Sequence, residues 1–407
     1  MASDNTAINH LEDEDEDEEL KEYEEPFFDM VEFDKTHDNK PVFTREMLQS
    51  IQNVKLDALS KSKLKVDSEI VYTPSPNERG YGEEFVVGRI HERPNYGNKK
   101  ISVRFLSCIE MHPEFQKFKP GSEPIETLRE YNLVPGQSDY IPVPFVLNWD
   151  DRVAGSSHEN AAQMALRRSQ LRDLIKIWES STVKKLFLDC FRSSNALRSS
   201  NVRIKRIICF GLGSLTFDGS TDRELQHLAA IDLAQLMDAR NRFLDPEAPR
   251  VEVWFQDPLY EIKDRVLLRE LRPDIHFVDD PLGLLGIDDC TFVMANFLPI
   301  EFPLLQIIAD MFEEGHGPAG FLIDHLQRED GDPESSMYRL HDRLSPRASR
   351  MFGNYKRCQE ENTQGFRDPD IQGQNQQLFN QQVPARRLLW LEYMSLYIRL
   401  PNETSAT

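Results

Sequence analysis

The chain has 407 residues, 39% of them hydrophobic and 29% charged, with a formal net charge of −21. That length allows two or three folded units and a sizeable core. The acidic balance excludes duplex nucleic acid as the main partner, because neutralising phosphates needs clustered Lys and Arg, and only short pairs such as Arg167-Arg168, Lys184-Lys185 and Arg386-Arg387 occur.

Glu12 to Glu25 holds eleven acidic side chains and one lysine. Such a run repels itself and offers nothing to bury, so residues 1–43 read as a disordered acidic tail, chiefly solubilising, through which protein partners remain possible. Five cysteines at long spacings, with no Cys-x-x-Cys pair, read as reduced thiols. No apolar run reaches the roughly 18 residues that span a bilayer, so the expectation is a cytoplasmic or nuclear protein without membrane contact.

Thr44 to Ser60 has the spacing of a short amphipathic helix, with Leu48, Ile51, Leu56 and Leu59 on one face. Three β-type runs follow, Glu69–Tyr72, Phe85–Ile90 and Ile101–Phe105, separated by turn-forming residues, which predicts a small antiparallel meander within a β-rich segment, 44–112. Prolines at 113, 120, 124, 135, 142 and 144 mark 113–156 as a connector. Ser157 to Arg192 is helical in period, with a Ser180-Ser-Thr182 interruption that makes it two helices or one kinked helix.

From Arg203 the pattern alternates as a doubly wound sheet requires. Strands are predicted at Arg206–Phe210, Val251–Phe255, Ile275–Val278, Thr291–Ala295 and Ala319–Ile323. Thr221 and Glu224 have the spacing of a capping box for the first helix, whose stripe is Leu225, Leu228, Ala229, Leu236 and Met237. A second helix carries Ile262, Val266, Leu267 and Leu271, and another spans Leu304 to Phe312. The fold class is therefore α/β, a Rossmann-like, mostly parallel sheet over 157–330, with a C-terminal extension, 331–407. Within it the run Gln372–Gln377 reads as a flexible loop. Leu388 to Leu400 fits helix and strand templates equally and should dock back on the body.

The stretch Ile207–Ser214, the strand end Gln256-Asp-Pro258, the acidic end Val278-Asp-Asp280 and the run Asp288–Met294 occur in an order that resembles the SRR-like ("sensitivity to red light reduced") domain family, in its fungal-type form. The resemblance covers roughly 120 residues, and the order of the pieces carries it rather than any one of them. It implies an α/β fold and a regulatory role. Members are associated with circadian and light-signalling control in plants and with cytoskeletal or haem-related phenotypes elsewhere, with no settled enzymatic activity. Many relatives have a Pro-His-Cys-like group after the fourth strand. This chain reads Met294-Ala-Asn-Phe-Leu-Pro299 there, so no metal or catalytic role tied to that group carries over.

Gly211-Leu-Gly-Ser214 lies where such a sheet places a phosphate-binding turn, because glycine lets the backbone approach an anion. The third glycine of the dinucleotide fingerprint is Thr216, and Asp257 lies 257 − 213 = 44 residues past Gly213 where about 20 is usual, so the nicotinamide fingerprint is incomplete. The candidate binding residues are Gly211, Gly213, Ser214, Asp257, Asp279 and Asn296, all at strand ends. Gly211, Gly213 and Ser214 would present backbone donors, Asp257 would accept from a hydroxyl, and Asn296 would line the floor. The ligand would be a small phosphate- or nucleotide-bearing molecule, and the cofactor remains unidentified. Asp279, Asp280, Asp288 and Asp289 read as solvated loop ends rather than a metal site. His276 and His316 read as structural. No Gly-x-Ser-x-Gly elbow supports nucleophilic catalysis. Two rivals stand beside the regulatory reading: an S-adenosylmethionine-dependent methyltransferase, which also uses a glycine turn and a second-strand acid, and a ligand-free interaction scaffold.

Overall fold

The computed structural model describes residues 27–36, 39–63, 68–72, 85–90, 100–111, 144–150, 160–194, 197, 203–216, 222–299, 302–313, 316–324, 326, 336–339, 342–358, 390–391 and 393–400. In chain order the strands are β1 (Phe27–Asp29), β2 (Ser68–Tyr72), β3 (Phe85–Ile90), β4 (Lys100–Phe105), β5 (Phe145–Asp150), β6 (Arg206–Phe210), β7 (Glu252–Gln256), β8 (Ile275–Val278), β9 (Thr291–Ala295), β10 (Gly320–Asp324), β11 (Met337–Arg339), β12 (Tyr355–Arg357) and β13 (Met394–Arg399). The helices are α1 (Met30–Thr36), α2 (Arg45–Lys63), α3 (Cys108–Met111), α4 (Ala161–Ser180), α5 (Thr182–Ser193), α6 (Asp222–Leu244), α7 (Ile262–Leu271), α8 (Leu282–Leu285), α9 (Leu304–Met311) and α10 (Pro346–Phe352). None of the described helices is long and apolar enough to cross a membrane.

Seven strands form one mixed sheet in the order β12-β13-β10-β9-β6-β7-β8. The five from β10 to β8 run parallel, and β13 lies antiparallel between β10 and β12. Numbered by their own succession, the parallel strands read 3-2-1-4-5 across the sheet. The central strand β9 is buried at every position, as a parallel strand covered on both faces must be. All five strands expected from the sequence are present, β7 and β10 each one residue later than read.

Alternation along the strands separates two cores. Ile207, Cys209, Val253, Phe255, Phe292 and Met294 point to one face, where α4 to α7 cover them. Ile208, Phe210, Val293, Ala295, Phe321 and Ile323 point to the other, beneath α8, α9, α10 and the N-terminal elements. The two crossovers after β6 and β7 thus lie on the first face and the next two on the second. The connection reverses direction between β6 and β9, which pair to their last residues, Phe210 and Ala295, before the chain leaves them for opposite faces.

The helical segment before the sheet is two helices. Ser181 has extended backbone (φ −78°, ψ 141°), its N–H donates to the Trp178 carbonyl and its hydroxyl accepts from Lys184 N. It therefore closes α4 and opens α5 in one residue. Trp178 Nε1 donates to Asp232 at 2.6 Å, and Lys184 pairs with the same carboxylate at 2.9 Å, which fastens both helices to α6.

Three expectations change. Residues 27–36 and 39–43, assigned to the acidic tail, are structured: Phe28, Met30, Phe33, Val42 and Phe43 are buried in the second core, and β1 pairs with β11. The apolar residues of this stretch supply what the run Glu12–Glu25, outside the described residues, lacks. The meander is instead two pairs, β2 with β3 and β4 with β5, the latter a strand that the proline count had hidden in the connector. The C-terminal extension gives two strands to the main sheet, and of the run Leu388 to Leu400 the part Met394–Arg399 is a strand docked on β10. Thr221, half of the expected capping box, and the run Gln372–Gln377 lie outside the described residues.

Candidate functional site

The glycine turn leaves β6 at the carboxyl rim. Gly211 and Gly213 take φ of +68° and +78°, a region L side chains rarely adopt, and a Cβ at Gly213 would stand 2.9 Å from Arg223 Cδ. A Cβ at Gly211 would collide with Leu298 from the β9 side.

Three backbone N–H groups and one hydroxyl at this turn donate within the protein. Gly211 N–H donates to the Gln256 carbonyl at 3.0 Å, Gly213 N–H to Asp257 Oδ2 at 2.7 Å, and Leu215 N–H to Asp264 Oδ1 at 3.1 Å. The Ser214 hydroxyl donates to Asp264 Oδ2 at 2.9 Å. Asp257 also accepts from Leu259 N–H at 2.7 Å, and Asp264 from Glu261 N–H at 2.7 Å. Gly213 and Asp257 do meet, 44 residues apart in sequence, because β7 lies beside β6. The long spacing is filled by α6, which runs unbroken from Asp222 to Leu244. A charged carboxylate two bonds from the backbone outcompetes a diffusing anion for those N–H groups. Two of the three expected backbone donors, those of Gly211 and Gly213, are thereby taken.

Sequence reasoning missed the layer beneath. His227 on α6 is fully buried; its Nε2 faces the Tyr260 hydroxyl at 2.6 Å and its Nδ1 the Arg223 carbonyl at 2.5 Å. A carbonyl only accepts, so Nδ1 carries the proton and Nε2 accepts from Tyr260. Burial pulls His227 down to about 4, against the opposing pull of the Arg223 carbonyl. It stays neutral at physiological pH. No spacing rule connects two residues that meet only through the packing of α6 on β7.

The acidic residues divide. Asp279 and Asp280 follow β8 at the carboxyl rim, whereas Asp288 and Asp289 precede β9 at the opposite rim, so the four do not form one cluster. Asp279 is exposed. Asp280 accepts from Gln256 Nε2 at 2.6 Å, its carbonyl accepts from Lys55 Nζ at 2.6 Å, and its Oδ1 is buried without a partner. Desolvation pushes Asp280 up to about 7; Lys55 opposes this, while Asp279 and Asp257 add to it. Asp288, Asp289 and Cys290 lie close enough to share an ion, but both aspartates are exposed, and Asp288 already accepts from Thr291 and the Cys290 N–H.

Asn296 follows β9 at the point where the connections reverse. It is 2% exposed, and neither Oδ1 nor Nδ2 has a hydrogen-bond partner. Most buried side-chain amides are bonded, and leaving one unpaired costs about 1–3 kcal/mol per group. Thr216 Oγ1, beyond the glycine turn, and Trp390 Nε1, beyond the carboxyl end of β10, are also buried and unpartnered. On the second face a cavity of about 20 Å³, room for roughly one water, is lined by Ala295, Leu298, Asp324 and Arg343 among others. Asp324 holds the Phe297 N–H at 2.9 Å and pairs with Arg343 at 2.9 Å.

The fold and rim define an α/β protein with a mixed, mostly parallel seven-stranded sheet and a cluster of polar strand ends where its connections reverse. The model of the SRR1 domain matches residues 174–381, just over half of the chain, and the chain belongs to that family. The match extends beyond the stretch legible in the sequence, beginning in α4 and continuing past β12. No curated protein and no solved structure matches the chain.

Proposed function

We propose that the chain is a regulatory protein whose SRR1 domain holds a small nucleotide-like ligand at the carboxyl edge of a Rossmann-like sheet. The 3-2-1-4-5 order and the reversal between β6 and β9 support the Rossmann-like reading, since open α/β sheets bind ligands in the crevice at that point. The observation that carries the ligand is Asn296, a buried amide with no partner for either polar atom, standing at the crevice. Among the buried candidate residues it retains unused hydrogen-bonding capacity at both ends of its side chain. Regulation, rather than catalysis, fits a rim whose carboxylates Asp257 and Asp264 are committed to backbone N–H groups and whose histidine His227 is locked in a buried pair.

Thermal unfolding of the full chain against adenosine, ATP, NAD, S-adenosylmethionine and haem tests the reading. A ligand present at 100 times its Kd stabilises by about 2.7 kcal/mol, which raises the midpoint by several degrees. A panel in which no compound moves the midpoint overturns the proposal.

A further inference from the structure

We infer that the crevice recognises a planar, uncharged ring bearing a donor beside an acceptor, the edge of a nucleobase, and that Asn296 reads that edge. The inference rests on the ligand reading above and specifies its chemistry.

Three features converge. A side-chain amide with both Oδ1 and Nδ2 unpartnered is complementary to a group that offers one donor and one acceptor side by side, as adenine does through its amino group and ring nitrogen. A phosphate offers acceptors only and would leave Oδ1 unpaired. The glycine turn offers an anion little: the Gly211, Gly213 and Leu215 N–H groups are taken, two of them by the carboxylates of Asp257 and Asp264, although Arg223 stands beside Gly213. Exposed rings flank the amide. Phe297, the next residue, is 50% exposed and meets Tyr393, 60% exposed, edge to face at 6.3 Å. Aromatic faces at a rim are what a flat base stacks on.

Trp390 extends the site. Met394 pairs with Asp324 at the carboxyl end of β10, so the chain enters β13 from the same rim at which Asn296 stands. Trp390 packs in the first-face core, the face to which alternation from Phe292 and Met294 assigns Asn296, and its Nε1 is a buried donor without an acceptor. A ring nitrogen or carbonyl of the base would satisfy it.

The test is calorimetric titration of the full chain with adenosine, nicotinamide and inorganic pyrophosphate, repeated on Asn296→Leu and Trp390→Phe. The expected result is binding of adenosine or nicotinamide and none of pyrophosphate, with affinity reduced tenfold or more in Asn296→Leu and severalfold in Trp390→Phe. Because the Asn296 amide is unpartnered, Asn296→Leu should keep the unliganded thermal midpoint or raise it; a variant that unfolds shows that the amide is a structural bond and overturns the inference. Pyrophosphate binding alone, or adenosine binding unchanged in both variants, overturns the base-edge chemistry and leaves the ligand reading standing. No binding by any of the three, together with a silent thermal panel, removes both.

Discussion

The two halves of the carboxyl rim differ in how completely they satisfy themselves. Around the glycine turn the carboxylates and the histidine are matched internally: Gly213 with Asp257, Ser214 and Leu215 with Asp264, His227 with Tyr260. A few residues away, past β9 and β10, Asn296 and Trp390 are equally buried and unpaired. The half that looks like a binding motif in sequence is closed on itself, and the half with no motif has vacancies. A turn of the right shape is therefore weaker grounds for a site than an uncompensated buried amide, because the shape costs nothing to keep and the amide does.

The largest effect should come from breaking the closed half. Asp264→Ala strands three donors, the Ser214 hydroxyl and the N–H groups of Leu215 and Glu261, in a position with no solvent access. A loss of about 3–5 kcal/mol is expected in urea unfolding. A loss under about 1 kcal/mol would show that the turn does not depend on this network.

Next in size is a pH effect that separates Asp280 from His227. Asp280 titrates near 4 when unfolded and near 7 when folded, so between those values the folded state holds the extra proton and stability falls as pH rises. Asp280→Asn removes the buried charge and should stabilise by on the order of 3 kcal/mol at pH 8, with little change at pH 4. His227 works in the opposite sense. Its folded value near 4 lies below the ordinary 6.5, so its contribution is present above pH 6.5 and is lost on acidification towards 4. The two slopes oppose each other in the wild type. In Asp280→Asn the largest opposing slope is removed, so the fall in stability as pH is lowered from 6.5 towards 4, measured by unfolding at several pH values, should be steeper than in the wild type. A variant profile no steeper than the wild type would contradict the opposed pair.

The smallest effect falls just past the glycine turn, on a side chain that interrupts the closed half. Thr216→Val replaces an unpartnered buried hydroxyl by a methyl of similar shape, and denaturation should show a change from zero to a gain of under about 1 kcal/mol. A loss above that range would mean the hydroxyl is bonded in solution.

The parallel core was readable because buried strands such as Ile207–Phe210 and Phe292–Ala295 are continuous apolar runs bounded by turn residues, a signal local to each strand. The pieces that escaped depend on distant partners. Phe27–Asp29 is three residues long and becomes a strand only against Met337–Arg339; Phe145–Asp150 follows a proline-rich stretch and is stabilised by β4. The site divides along the same line. Position at a strand end was legible for Gly211, Asp257 and Asn296, but whether each side chain was spent or free was not, since that depends on the register of β6 against β7 and on the packing of α6.

One element has a consequence for synthesis. Among the described residues the outer edge of β10 is paired by β13, whose first residue comes 394 − 324 = 70 positions later. At a ribosomal pace of about 5–20 residues per second, the nascent sheet carries a bare hydrogen-bonding edge for roughly 4–14 seconds before its own cover emerges. Chaperone demand should therefore peak in that interval, and truncations that stop short of β13 should accumulate as edge-to-edge aggregates even though the parallel core is complete.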